Sequence, residues 1–317
     1  MNNAKLIEKV SKKAKVKSKS EKYYHGILKS NLEFRITRDS EMDESIFTSQ
    51  FDEDEVASIW ETVLEKETTR TSDVPLNEIS DMMISVSDDE TRYVLNSIMF
   101  DDQKMVSTDG RRLMTRSIDH GYCNITKNLI QGKMLKDILG LLGKKGEIHI
   151  QFKNPQDEVK NGYFYIRSGN IEFLGELVDG TYPNYRQVLP ESLSERQSVG
   201  KHKVIDPKGF IKLVKEINSA YGKKPTKQLL VTNGRIEIKV SEGGYDPEKK
   251  KGVENILHEQ DVTNLFSCEG IADVAVNLNY FNDFVKIGMT DFYVKDAESP
   301  LGFGKEGFYA VLMPPRS

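Results

Sequence analysis

The chain has 317 residues, 38% of them apolar and 30% charged, with a formal net charge of −4. That length allows two or three domains with ordinary cores, and no apolar run approaches the roughly 20 residues of a membrane span. The charge balance argues against a surface that is basic all over, but leaves room for lysines gathered on one inner face.

Residues 4–17 read as an amphipathic helix, with Leu6, Ile7, Val10 and Ala14 on one side and Lys5, Lys9 and Lys12 near the other. The surrounding stretch, residues 3–22, holds eight lysines against two glutamates, whereas residues 39–55 hold eight acids and no base. Such segregation fits either a partner-facing surface or a solvated helix beside an acidic loop. "GILKSNLEFRITR" and "ESIFTSQF" read as strands, and "DEDEVASIWETVLEKE" as a helix with acids in its first turn. "TTRTSDVP" reads as a linker, with Pro75 placed to start the next helix.

From there the order becomes regular. The helix "PLNEISDMMISVS" is followed by strands "RYVLNSIMFD", "KMVSTD" and "RLMTRSI". The helix "KMLKDILGLLGKK", burying Leu135, Ile138, Leu139 and Leu142, is followed by "GEIHIQF", "GYFYIRS" and "NIEFLGELV". After a loop, "PKGFIKLVKEINSAYG" leads into "QLLVTNGRIEIKVS", "VTNLFSC" and "VAVNL", and "NYFNDFVKIG" into "DFYVKDA" and "GFYAVLMPP". A helix and several strands thus recur twice in each half, which predicts an α+β class with two repeated domains behind a shorter first one. The expected limits are 1–72, 73–200 and 201–317.

Lysine placement adds a direction. In "PKGFIKLVKEINSAYG", Lys208, Lys212 and Lys215 form a row opposite Phe210, Leu213, Val214 and Ile217. Lys133 opposes, and Lys136 flanks, the leucine face of the preceding helix. Such rows suit phosphates met without base reading, and equally an ordinary solvated face.

"VSTDGRRLMTRS" (106–117) contains an Asp-Gly turn followed at once by two arginines, which a plain β-turn with solvated charges would explain. Together with "RYVLNSIMF", "FLGELVDGTYPNYRQVLP", "VNLNYFNDFVKI" and the C-terminal "YAVLMPPR", however, it resembles the bacterial β sliding clamp family of DNA polymerase III over residues 73–317. The resemblance implies repeated clamp domains, each of two helix-plus-antiparallel-sheet halves, with helices lining a ring and sheets outside. It implies a processivity factor that encircles duplex DNA, forms a homo-oligomeric ring, and tethers a polymerase and clamp loader through short apolar peptides.

By matching positions, the peptide site would comprise Leu95, Thr108, Gly110, Arg111, Arg112, Leu113, Pro183, Val188, Asn277, Tyr280, Val311, Leu312, Met313, Pro314 and Arg316. Tyr93, beside Arg92, resembles the family's DNA-contacting aromatic, though packing on the sheet would also account for it. Arg111 and Gln187 stand where the family usually has His and Arg, Pro315 replaces a methionine, and residues 1–72 look like a first domain cut short. The short first domain leaves two ring sizes open, two chains or three. It also leaves open a clamp-like regulator that captures peptides without encircling DNA.

Chemistry points elsewhere than catalysis. Five scattered histidines lack metal spacing, and no phosphate loop, nucleophile elbow or paired-carboxylate motif occurs. No enzyme activity, metal or cofactor is expected. Cys123 and Cys268 stand apart without CxxC spacing and read as buried thiols. With no apolar core or small-residue cleavage site of a secretory signal at the N-terminus, a cytoplasmic location and no membrane partner are expected.

Overall fold

Period-two alternation and apolar helix faces account for most of the elements seen in the structure, a computed structural model that describes residues 14–19, 23–37, 70–101, 103–118, 127–153, 162–189, 200–246, 251–270, 273–305 and 307–315. The chain divides into two compact units, Met1–Asp109 with Thr115–Pro183, and Gly110–Met114 with Asn184–Ser317. No helix among the described residues is long and apolar enough to cross a membrane.

In chain order the strands and helices up to residue 176 are β1 (Ala14–Lys19), β2 (Tyr23–Leu28), β3 (Glu33–Thr37), β4 (Arg70–Pro75), α1 (Leu76–Met82), β5 (Ser97–Asp101), β6 (Lys104–Thr108), β7 (Arg112–Ser117), β8 (Asn128–Gln131), α2 (Gly132–Leu142), β9 (Glu147–Lys153), β10 (Tyr163–Ser168) and β11 (Ile171–Glu176). In the first unit a seven-stranded antiparallel sheet runs β1-β2-β3-β11-β10-β9-β4. β5 pairs with both β6 and β8. Phe34, Phe100, Phe152, Phe164 and Phe173 are fully buried, with the Phe100 and Phe152 ring centroids 5.2 Å apart. Each such side chain contributes on the order of 1.5–3 kcal/mol.

Several elements differ from the sequence reading. Of the helix expected over 4–17, residues 14–17 instead belong to strand β1, because Ala14, Val16 and Ser18 alternate with lysines and β2 offers a ladder of partners. Lys5, Lys9 and Lys12 lie outside the described residues, as do "ESIFTSQF", the helix expected over 52–67 and Cys123. The expected linker "TTRTSDVP" contains β4, whose Ser72 and Val74 pair with Ile150 and Ile148; backbone hydrogen bonds serve a polar strand as well as an apolar one. The strand expected from Arg92 begins only at Ser97. Before it, Glu90–Asn96 is a 3₁₀ segment capped by Asp89, which accepts the Thr91 N–H at 3.0 Å and its hydroxyl at 2.6 Å. On α2 the buried stripe is Met134, Leu135, Ile138 and Leu141, while Leu139 and Leu142 are half-buried.

The second unit continues with β12 (Gly200–Val204), α3 (Pro207–Tyr221), β13 (Thr226–Thr232), β14 (Arg235–Asp246), β15 (Lys251–Asp261), β16 (Phe266–Gly270), β17 (Asp273–Asn277), α4 (Leu278–Lys286), β18 (Asp291–Tyr293), β19 (Leu301–Lys305) and β20 (Phe308–Leu312). The strand order is β16-β12-β18-β19-β20 in one sheet and β15-β14-β13-β17 in the other. α3 starts at the Asp206 cap, whose carboxylate accepts the Gly209 N–H at 2.9 Å, with Pro207 at its first position. Phe210 of α3 and Phe281 of α4 meet edge to face at 5.6 Å, and Phe281 also meets Phe292 at 5.1 Å.

β13 is paired with β14 only from Thr226↔Ser241 to Thr232↔Arg235, so Glu242–Asp246 and Lys251–Asn255 run on as a two-stranded ribbon. The pairing shifts at its base: Val240 faces His258 and Ser241 faces Ile256, which leaves Leu257 as an extra residue. That β-bulge turns Leu257 out of the alternation, and Ile256 and Leu257 stand 53% and 42% exposed side by side on the edge strand.

Candidate functional site

The Thr-Asp-Gly turn works as its composition requires: Gly110 sits at φ 84°, a region that glycine enters without a Cβ penalty. Gly110–Met114 belongs to the second unit, unlike the residues on either side of it. There it meets two other segments, the C-terminal end of β20 and the first turns of α4. The Met313 N–H donates to the Arg111 carbonyl at 2.8 Å, which fixes the chain past β20 alongside the two arginines.

α4 begins at Asn277, whose side-chain oxygen accepts the N–H groups of Asn279 and Tyr280 at 2.9 and 3.1 Å. The cap sets the helical phase, so Tyr280 and Asp283, three residues apart, share one face. Arg112 lies against both. Its Nη1 is 2.9 Å from Asp283 Oδ2, and its guanidinium carbon stands 4.2 Å above the centre of the Tyr280 ring. The Arg112 and Asp283 side chains are only 11% and 30% exposed, so this ion pair is partly withdrawn from water. Lys286 approaches the other carboxylate oxygen at 3.1 Å from the exposed side.

Of the residues expected in a peptide site, the second unit thus brings together Arg111, Arg112, Asn277, Tyr280 and Met313. Met313 is 38% exposed. Pro314 and Val188 are half-buried, and Arg316 lies outside the described residues. Leu113, Val311 and Leu312 are buried, with Leu312 opposite Leu301 in the β19–β20 ladder. Leu95, Thr108 and Pro183 fall in the first unit, the first two buried and the proline exposed. Asp283 is absent from the expected set; its spacing from Tyr280 in "NYFNDF" is the signal the sequence offers for it.

The residues expected to face DNA are exposed wherever the structure describes them. Lys133 and Lys136 project from α2, and Lys208, Lys212 and Lys215 from α3, opposite the buried Phe210, Val214 and Ile217. Lys212 is 3.9 Å from Glu216 one turn on, a surface pair of little energetic weight. Tyr93 is 56% exposed on the 3₁₀ segment, and Arg92 beside it pairs loosely with Asp89 at 3.4 Å. Gly180 lets this segment approach, because a Cβ there would run into the Val94 side chain.

Residues 71–184 match the family described as DNA polymerase III beta subunit, central domain. A beta sliding clamp from Rickettsia bellii is 26% identical over 239 residues, covering 70% of this chain and 59% of that protein. One from Proteus mirabilis is 24% identical over 213 residues, covering 61% and 54%. This chain is related to the β sliding clamps. It spans little more than half the length of those clamps, 59% and 54%. The clamp fold extends further than the sequence similarity. The DNA polymerase III beta subunit of Thermotoga maritima superposes with a TM-score of 0.62 at 16% identity, covering 99% of this chain and 98% of that one. That of Borrelia burgdorferi, solved with a natural product, gives 0.60 at 16% identity, covering 93% and 76%.

Proposed function

We propose that the protein is a DNA sliding clamp, a non-catalytic processivity factor that encircles duplex DNA and tethers a polymerase and its loader. The observation that carries this reading is the match of residues 71–184 to the beta subunit central domain, inside a chain whose fold aligns from end to end with a beta subunit. The exposed lysines of α2 and α3 supply sequence-independent phosphate contacts, and Arg92 and Tyr93 a strand contact at a rim. Met313, Arg111, Arg112 and Tyr280, with Leu113 and Val188 of the same unit, receive short apolar peptides. The exposed Ile256 and Leu257 on the edge strand β15 support self-association through that edge.

Two measurements test it. Light scattering over a wide concentration range gives the number of chains, with a multiple of 36.1 kDa expected. Retention on nicked circular DNA, lost when the circle is linearised, reports encirclement. A monomer that leaves circular and linear DNA equally fast removes the ring and leaves a peptide-capturing protein.

A further inference from the structure

Among the described residues, Arg112 is the most deeply set cation of the peptide site, and it already has a carboxylate of its own. Asp283 accepts from Nη1 at 2.9 Å, Tyr280 covers one face of the guanidinium at 4.2 Å, and Lys286 closes the far side of Asp283 at 3.1 Å. An arginine in that setting behaves differently from one waiting at a rim. Its plane is held by the ring, its charge is matched by a partly buried anion, and a second carboxylate brought to it must compete with the first. An incoming peptide finds a flat, rigid wall instead of an unmatched positive charge.

We propose that Asp283 is a specificity-determining residue of this site: it acts as an internal counter-ion that holds Arg112 against Tyr280 and withholds its charge from acidic side chains of the peptide. This role rests on the peptide-site reading above. The ligand class that follows is an apolar peptide that is neutral rather than acidic where it meets Arg112. Asp283 touches no peptide in this role; it acts through Arg112.

The test is calorimetry on the full chain with two synthetic peptides, one with the sequence Gln-Leu-Ser-Leu-Phe and one with Glu in place of the Gln. The native chain is expected to bind the Gln peptide at least as well as the Glu peptide, with a ratio insensitive to salt. Asp283→Asn removes that counter-charge and should shift the ratio roughly tenfold toward the Glu peptide at low salt, an advantage that shrinks as salt rises. Asp283→Glu, which keeps the charge, should restore the native ratio. A loss of fold alone would lower both affinities together and leave their ratio unchanged. If D283N does not fold, Asp283→Ser provides the same comparison.

A native chain that prefers the Glu peptide tenfold with steep salt dependence overturns the proposal, as does an unchanged ratio in the folded Asn or Ser variant. In both cases the peptide site itself stands. Failure of either peptide to bind the native chain at millimolar concentration removes the site, and this role with it.

Discussion

The imidazole of His202 lies stacked on the ring of Phe292, centroids 5.2 Å apart and planes 25° from parallel, and neither of its nitrogens has a hydrogen-bond partner. His202 is 1% exposed, facing Cys268 across the β12–β16 ladder and Phe292 across β12–β18. Burial pushes its pKa below the ordinary histidine value, and the nearby Glu269 opposes that shift only in part. The folded chain therefore holds His202 neutral. Below about pH 6.5 the unfolded chain takes up a proton that the folded one resists, so stability falls with acidification, by at most about 1.4 kcal/mol per pH unit for one proton. Urea midpoints measured from pH 8 to pH 5 should decline, and His202→Phe should flatten the decline. An equal slope in the variant would place the acid sensitivity elsewhere.

Met313 and Leu113 separate binding from folding. Met313 is 38% exposed, so Met313→Ala should leave the melting temperature nearly unchanged while weakening an apolar peptide by about tenfold, the loss of one anchor. Leu113 is 5% exposed, and Leu113→Ala should cost about 2–5 kcal/mol of stability, since a cavity opens in the unit's own core. Paired thermal melts and fluorescence titrations make the comparison. Unaltered peptide affinity in the Met313 variant would remove that residue from the site.

The row Lys208, Lys212 and Lys215 is exposed along α3. Converting all three to Glu should shorten retention on circular DNA at low salt. It should also lower the slope of log affinity against log salt, roughly in proportion to the phosphates that are no longer neutralised. Because the side chains bury nothing, the far-ultraviolet spectrum should stay the same. Retention that ignores both the charges and the salt would exclude α3 from the DNA-facing surface.

Much of this site can be read from the residues alone, and the reasons are local. The Asp-Gly turn and the apolar stripe of α3 are each set by neighbours within a few positions, and the structure has both. What is not legible depends on distant partners. β4 is polar and becomes a strand only because β9 lies beside it. β19, "LGFGK", carries two glycines and too little side-chain pattern to announce a strand, yet it pairs with both β18 and β20. Arg112 and Asp283 are 171 positions apart, so neither signals the other in the sequence. The 3₁₀ segment before Ser97 shows the opposite failure: "RYVLN" has strand-like composition, and a single aspartate shortly before it, at the cap, outweighs that composition.

Lys227 is 3% exposed, and its amine donates to the Gly222 carbonyl at 2.5 Å, where α3 ends. Lys227→Met keeps the aliphatic stem and leaves that carbonyl without its donor, so a loss of about 1–3 kcal/mol is expected. Chemical denaturation of the variant measures it. A change below about 0.5 kcal/mol would mean that water replaces the amine with no penalty.

Leu257, the extra residue at the base of the β14–β15 ribbon, decides how much apolar surface that edge shows. Val240 already faces His258 and Ser241 already faces Ile256, so removing Leu257 would close the ladder without changing a single pair beyond it. Ile256 would keep its place opposite Ser241, and the apolar pair now standing together on the β15 edge would shrink to one exposed side chain. The bulge thus holds an apolar side chain for which the ladder has no pairing partner, so a single-residue deletion there would alter the edge and spare the ribbon.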